Sequence, residues 1–450
     1  MRKRTVGELA SNLGAVLSDG SDGRVTGVAI DSRAVRPGDL FVALPGERVD
    51  GHEFVVEAAH RGAAAALVSR IVAAELPQLV VPDTLAALQR LAGAERAHSR
   101  YRVAAVTGSL GKTSTKEFLA ALLATTFTVG ATTGSRNSQA GFPAELCNQP
   151  QDLGWMVAEL GMNHAGELDR LGAIARPDAL VYTTIAPVHL EFFSDLDEIA
   201  EAKAELIRHL NPSGLLVLNS ADPRIVRFAT RFSGRSVYYG EPGRSDAWLE
   251  DYRSRGLLGS RFVLRAGEVQ IEVDWAVAGR HQADNLLAAT TCGLHLGVPA
   301  EVVAPCAAAL KPAPRRGEIH RLDSGVTVID DSYNASPVAT ARLLDLLGET
   351  PGRRLAVLGE MLELGDSAPV FHREIGERAA AIADIVVAVG GDNAAVVAAA
   401  ARSTEAHHVA DASAALELVR SLLQQDDVVL VKGSRGIALD RLVDGLVEAG

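Results

Sequence analysis

Apolar positions along the chain follow one pattern up to about residue 98, another to about 311, and a third beyond. In the first zone, residues 5–13, 53–61 and 84–97 place apolar side chains at three- and four-residue intervals, which predicts amphipathic helices. Between them, 25–31 and 40–44 read as short strands, so this zone is a small α/β unit. The second zone opens with a short apolar run, 103–106, and a helical pattern at 116–123. Strands are expected at 155–159 and 179–185, antiparallel strands within the alternating segment 236–278, and an apolar helix at 286–296. The third zone returns to strand–helix alternation, with strands at 326–329, 355–358, 385–389 and 428–431 and helices including 338–347 and 413–423. That layout is Rossmann-like, but no Gly-x-Gly-x-x-Gly turn is present, so no dinucleotide site is assigned. The expected division is 1–98, 99–311 and 312–450, with linkers at 94–101 and at the Pro-rich stretch 311–316.

The chemistry concentrates where these patterns switch. Thr107-Gly108-Ser109-Leu110-Gly111-Lys112-Thr113-Ser114 lies between the 103–106 run and the following helix. Glycines let a loop curl its N–H groups around phosphate oxygens, the helix start adds partial positive charge, a lysine reaches the outer phosphates, and a threonine hydroxyl can hold Mg²⁺. The general phosphate-loop pattern has glycine where this chain has Val106. The run 155–159 ends in Glu159, where an acid at a strand end can reach a cation or simply cap the next turn. His189 follows another strand and, taken alone, reads as a solvated loop residue. Ser194-Asp195-Leu196-Asp197 reads as a capping box opening a helix that carries Lys203, which by itself suggests a surface salt bridge. Gly279 to Asn285 leads into the 286–296 helix, and Asp331 and Lys432 sit at the ends of the first and last strands of the third zone. Ser32-Arg33, beside Pro37-Gly38, could hold a phosphate or a uracil edge, or form a solvated turn.

Composition narrows the partners. Hydrophobic residues make up 48% of 450 and charged residues 22%, enough to bury large cores. The net charge of −12 comes without a basic run, which argues against nucleic acid or an anionic membrane as partner. Cys147, Cys292 and Cys306 are dispersed, with neither disulfide nor zinc spacing, so a reducing cytoplasm is expected. No segment is apolar enough for a bilayer span, and the basic start Met1-Arg2-Lys3-Arg4 lacks the apolar core of a signal peptide.

Together these stretches resemble the Mur ligases, ATP-dependent amide ligases of bacterial peptidoglycan precursor synthesis. The telling segments are Ala158-Glu159-Leu160-Gly161-Met162-Asn163, Asp330-Asp331-Ser332-Tyr333-Asn334-Ala335 and Leu358-Gly359-Glu360-Met361-Leu362-Glu363-Leu364-Gly365. The resemblance implies an α/β fold of three domains: a small N-terminal α/β domain for a UDP-linked substrate, a central phosphate-loop ATPase-like domain, and a C-terminal Rossmann-like domain for the incoming amine. Within the family it points to the branch that joins D-alanyl-D-alanine to UDP-N-acetylmuramoyl-tripeptide, because the Asp-Asn-Pro-Arg of the third-residue-adding branch is missing. It implies ATP and Mg²⁺ as cofactors, an acyl-phosphate intermediate, and a monomer. Lys112, His189 and Lys203 would be catalytic. Thr107 to Ser114, Asn285, Arg316, Asp331 and Asn334 would surround the nucleotide. Thr113, Glu159, His189 and a carbamate on Lys203 would serve Mg²⁺, and Ser32, Arg33, Asn137, Lys432 and Ser434 the substrates. Two departures stand out: Asn137-Ser138 where that branch has two asparagines, and Asn334-Ala335-Ser336-Pro337 where it has Asn-Ala-Asn-Pro. Open alternatives are another ligase of this type, either the one that adds the third residue to the UDP-linked dipeptide or a folylpolyglutamate synthase-like one, and a nucleotide-gated binding protein without catalysis.

Overall fold

The structure, a computed structural model, describes residues 1–18, 23–46 and 49–449. Each zone builds one main sheet. The first orders its five strands as Val16–Leu17, Gln78–Val80, Ala65–Val68, Asp39–Val42 and Gly27–Ala29. Only the first pair is antiparallel. Helix Val6–Leu13 starts at a full capping box, in which the Glu8 N–H donates to the Thr5 hydroxyl and the Thr5 N–H to the Glu8 carboxylate.

Helix Thr84–His98, capped by Asp83, continues through much of the expected linker and leaves only Ser99 to Tyr101 to connect the units. The reason is tertiary. Glu95 is buried and paired with buried Arg4, and Arg96 donates to the carbonyls of Ala175 (2.7 Å) and Tyr101 (3.2 Å). Of the charges that read as linker, Glu95 ties the helix to the start of the chain and Arg96 ties it to the second unit.

The second sheet has nine strands. Arg102–Thr107 lies between Trp155–Glu159 and Ala179–Tyr182, all parallel, so the phosphate-loop strand is interior to the sheet. Val103, Ala104, Ala105 and Val106 are wholly buried, as a strand covered on both faces requires. Helices Lys112–Ala124 and Arg280–His295 pack with one face; the other packs with helices Gly141–Asn148 and Glu167–Ala175 and with the first unit. The alternating segment 236–278 is only partly antiparallel: Arg235–Gly240 runs parallel to both its neighbours, and the antiparallel pairing begins with Ala247–Ser254. Gly279 to Asn285 is not a lead-in, since the helix already starts at Arg280.

Two further expectations shift by a residue or an element. The helix Leu196–Ala204 is capped by Asp195 rather than Ser194, with the Glu198 N–H donating to its carboxylate at 2.8 Å and the Glu198 carboxylate accepting from the Ser194 N–H and hydroxyl. The third sheet has six strands, and its edge strand Glu318–Arg321, antiparallel to Thr327–Asp331, carries too little apolar character to show in the pattern. The remaining strands, Val428–Lys432, Arg354–Gly359, Ile385–Val389 and Glu405–Val409, are parallel. No helix among the described residues is long and apolar enough to cross a membrane.

Candidate active site

The phosphate loop is shaped by close approach. Gly108 has φ 143° and Gly111 has φ 81°, the left-handed side that glycine favours. A Cβ on Gly108 would lie 1.9 Å from the Thr183 hydroxyl, and one on Gly111 would lie 2.3 Å from Asn285 Oδ1. The neighbouring strand end fastens the loop: the Ser109 N–H donates to the Thr184 carbonyl (2.7 Å), and the Thr183 hydroxyl donates to the Leu110 carbonyl (2.5 Å). The Thr107 hydroxyl donates to the Leu160 carbonyl at 2.8 Å, tying the loop to the Glu159 strand. Lys112 Nζ folds over the loop and donates to the carbonyls of Gly108 (2.9 Å) and Ser109 (3.1 Å). Burial pulls the Lys112 pKa down, opposed by Glu159 and reinforced by Arg316.

Beside the loop, Glu159 is buried with both oxygens engaged. Thr113 Oγ1 donates to one at 2.8 Å, and Asn137 Nδ2 to the other at 2.6 Å. A hydroxyl and a carboxylate held together at the start of a helix are hard oxygen donors of the kind Mg²⁺ takes, so the residues present fit that ion. Asn137 thus holds the acid while lining the cleft. The serine at the departure position also has a local use, since Ser138 Oγ accepts the Gly141 N–H (3.1 Å) at the start of the next helix.

His189 has φ 57° and lines the same cleft. Its Nδ1 lies 2.6 Å from Glu363 Oε2, a residue of the third unit. Lys203 is not among the residues that line the cleft, and is 1% exposed. Its amine makes no hydrogen bond or ion pair among the described residues. Burial drives the Lys203 pKa well below the ordinary lysine range, with the Lys112 charge adding to the effect. The surface salt bridge that its immediate sequence suggests is not formed.

Opposite the loop stand the strand ends of the third sheet. Lys432, nearly fully buried, pairs with Asp331, and its Nζ donates to the Asn334 carbonyl at 3.0 Å. The Ser434 hydroxyl accepts the Leu362 N–H at 2.9 Å. The Arg316 guanidinium stacks 4.2 Å from the centre of the Tyr333 ring, whose hydroxyl meets Ser135 of the second unit. Asn285 donates to Gln282 Oε1 (3.3 Å) and faces the loop. The open cleft between these elements has a volume of about 890 Å³ and takes in Ser109 to Ser114, Asn137, Glu159, His189, Asn285, Arg316, Asp331, Asn334, Lys432 and Ser434.

Ser32 and Arg33 are not brought into this cleft. The Ser32 hydroxyl donates to Glu57 at 2.9 Å, and the Arg33 guanidinium forks onto Asp31 at 3.0 and 2.8 Å. Residue types alone did not single out Glu363, His281, Arg342 or Thr183, which also line the cleft. Glu363 lies in a segment that carries the family resemblance, and His281 is the second residue of the helix Arg280–His295, five residues before the start that the apolar pattern predicts. Outside the cleft, Glu318, His320 and Asp330 converge with donor atoms within 4.8 Å of one another, but the Arg315 guanidinium is 3.7 Å from Asp330 and already supplies a counter-charge.

This arrangement joins a phosphate loop, an oxygen-donor cation site and a facing set of strand ends across one cleft, and comparisons with known proteins agree with it. Residues 24–96 match the Mur ligase family catalytic domain, 106–293 the Mur ligase middle domain, and 315–435 the Mur ligase, glutamate ligase domain. The chain is 34% identical to UDP-N-acetylmuramoyl-tripeptide–D-alanyl-D-alanine ligase of Escherichia coli (strain K12) over 99% of both chains. A crystal structure of MurF from Acinetobacter baumannii superposes with a TM-score of 0.89 at 30% identity, covering 100% of this chain and 99% of that one. MurF ligase from Thermotoga maritima in complex with ADP superposes with a TM-score of 0.81 at 30% identity, covering 94% of this chain and 97% of that one. With a phosphate loop facing a third-domain wall, and likeness of this kind over nearly its whole length, the chain belongs to the Mur ligase family.

Proposed function

We propose that this protein joins D-alanyl-D-alanine to UDP-N-acetylmuramoyl-tripeptide with cleavage of ATP to ADP and phosphate, acting in the cytoplasm as a monomer. The observation that carries this reading is the single cleft in which Lys112, the Thr113–Glu159–Asn137 cluster and the Asp331–Lys432 wall face one another. The tripeptide carboxylate attacks the γ-phosphorus of ATP, forming an acyl phosphate and releasing ADP. The dipeptide amine then attacks the acyl carbon, loses a proton, and expels phosphate. Such a sequence asks for charge neutralisation at the phosphates and for firm positioning of two substrates.

The chain's own groups meet both demands. Lys112, now spending its protons on two loop carbonyls, is placed to exchange them for phosphate oxygens. Asn137 and Thr113 fix the Glu159 carboxylate from both sides, so it needs no reorganisation when a cation binds. Mg²⁺ supplies charge neutralisation at the phosphate oxygens; Thr113, Glu159 and His189 would hold it. Lys203 is a buried lysine whose amine has no partner among the described residues, and burial favours its neutral form, which can add to CO₂. Nitrogen bonds the carbon, a proton leaves to solvent, and the lysine becomes an anionic oxygen donor. Asn285, Arg316, Asp331 and Asn334 surround the nucleotide, while Lys432 and Ser434 serve the dipeptide. The unit 1–98, with Ser32 and Arg33, holds the UDP end, 99–311 holds ATP, and 312–450 holds the dipeptide.

Mass spectrometry of the reaction products tests the substrate assignment. Incubation with ATP, Mg²⁺, D-alanyl-D-alanine and UDP-N-acetylmuramoyl-tripeptide should give a product heavier by the dipeptide less one water. Product formation from a folate and glutamate, or from the UDP-linked dipeptide and a diamino acid, with none from the tripeptide, would replace this reading with another ligase of the same architecture.

A further inference from the structure

We infer that Glu363 is the positioning residue that turns His189 into a ligand for a divalent cation, and that it does so only when the third unit is docked on the second. This rests on the proposed cation site of the preceding reading. The two residues are 174 positions apart, and their Nδ1 to Oε2 separation is 2.6 Å, in the range of a charge-assisted hydrogen bond. A carboxylate has no proton to give at neutral pH, so the imidazole proton must sit on Nδ1. The second ring nitrogen, Nε2, then carries its lone pair, which is the form that binds metal. Among the described residues Nε2 makes no hydrogen bond.

The backbone supports the same conclusion. His189 and Glu363 have φ of 57° and 63°, neither being glycine. Such conformations cost on the order of 1 kcal/mol or more each and persist where the surroundings hold them. Here each loop holds the other: the Glu191 N–H donates to the Glu363 carbonyl at 3.2 Å, and a Cβ on Gly365 would meet the Leu190 carbonyl at 3.2 Å. The two strained residues are therefore presented to one another by a mutual clasp of the loops around 189–191 and 363–365. Glu363 follows the strand Arg354–Gly359 of the third sheet, whereas His189 follows Ala179–Tyr182 of the second. Opening the cleft would remove the carboxylate and free the ring to rotate. Cation binding and domain docking would then favour each other, since each is strengthened by the other's presence.

Titration of the full-length protein with Mn²⁺, followed by electron paramagnetic resonance in the presence of a non-hydrolysable ATP analogue, reads this directly. Glu363 is half exposed, so Glu363→Ala should fold, and Glu363→Gln keeps an acceptor oxygen without the charge. Glu363→Ala should weaken Mn²⁺ binding by roughly 10-fold or more, as loss of such an orienting partner generally does, with Glu363→Gln intermediate. The double variant His189→Ala/Glu363→Ala should bind no more weakly than His189→Ala alone. Unchanged Mn²⁺ affinity in Glu363→Ala, or losses that add in the double variant, would overturn the inference. So would a raised KM for dipeptide with an unaltered Mg²⁺ requirement. If the metal results hold while the proposed substrates give no product, the substrate reading fails and the clasp stands.

Discussion

Lys203→Met should stabilise the second unit while removing most of the activity. Lys203 is 1% exposed, and its amine has no hydrogen-bond partner among the described residues. Burying an unpaired polar group costs about 1–3 kcal/mol in proteins. Methionine has nearly the length and shape of the lysine stem, so the packing change should cost less than about 1.5 kcal/mol. The net expectation is a gain of about 1 kcal/mol, which for a unit of this size raises its melting temperature by about 2–4 °C. Calorimetry in buffer stripped of CO₂, following the transition of the nucleotide-binding unit, measures this; a chain of three units is not a two-state system, and the transition must be assigned by its shift with ATP. Turnover, followed by ADP release, should drop by about 10²–10³, the usual effect of losing one electrostatic group in a phosphoryl-transfer site. Lys203→Ala, which leaves space, should regain part of its turnover in acetate. A methionine variant that is less stable by about 3 kcal/mol or more, the cost of breaking a buried ion pair, would show that the amine is paired after all, and wild-type turnover would remove Lys203 from the chemistry.

Lys112→Ala should fold normally and lose about 10²–10³ in turnover; near-normal ADP release would sink the phosphate-loop assignment. His281 lines the cleft and its pKa is pushed down to about 4, by burial first and then by the charges of Arg342 and Lys432, with Asp331 opposing. Its folded pKa is thus below the unfolded value near 6.5, and the unfolded chain binds more protons between these limits. Stability should be intact above pH 6.5 and fall as the pH drops toward 4, by about 2 kcal/mol after discounting for its partial exposure to the cleft. Chemical unfolding of His281→Gln should show a flatter profile over that window, and an identical profile would refute the shift. X-ray scattering with ATP analogue and both substrates should give a radius of gyration no larger than that of the free protein, whose cleft is already bridged by His189–Glu363 and Ser135–Tyr333; expansion on ligand binding would contradict the clasp.

Local signals carried the parts of the fold that depend on local patterning. The strands 155–159 and 385–389 fall where the apolar runs place them, because a strand buried on both faces has no polar positions to blur its ends. The edge strand Glu318–Arg321 escapes the pattern because an edge needs few apolar residues, and residues 94–97 read both as the end of the 84–97 helix and as linker because the charges of Glu95 and Arg96 are satisfied by residues far along the chain. The candidate site divides in the same way. Lys112, Thr113 and Glu159 stand in short motifs whose spacing reports their geometry, whereas Lys203 and His189 read as ordinary surface residues until burial and Glu363 are known. Asn137 donates to Glu159 as well as lining the cleft, a contact that no spacing along the chain encodes. Ser32 and Arg33 lie outside the cleft and are held by Glu57 and Asp31, contacts that the residue types alone do not reveal.

A coupled ADP-release assay with ATP and Mg²⁺ tests the central claim most directly. With UDP-N-acetylmuramoyl-tripeptide and D-alanyl-D-alanine together, ADP should be released continuously, and omission of either substrate should reduce the steady rate to background. ADP release that is unaffected by both substrates would contradict the account and leave a nucleotide-binding protein that hydrolyses ATP on its own.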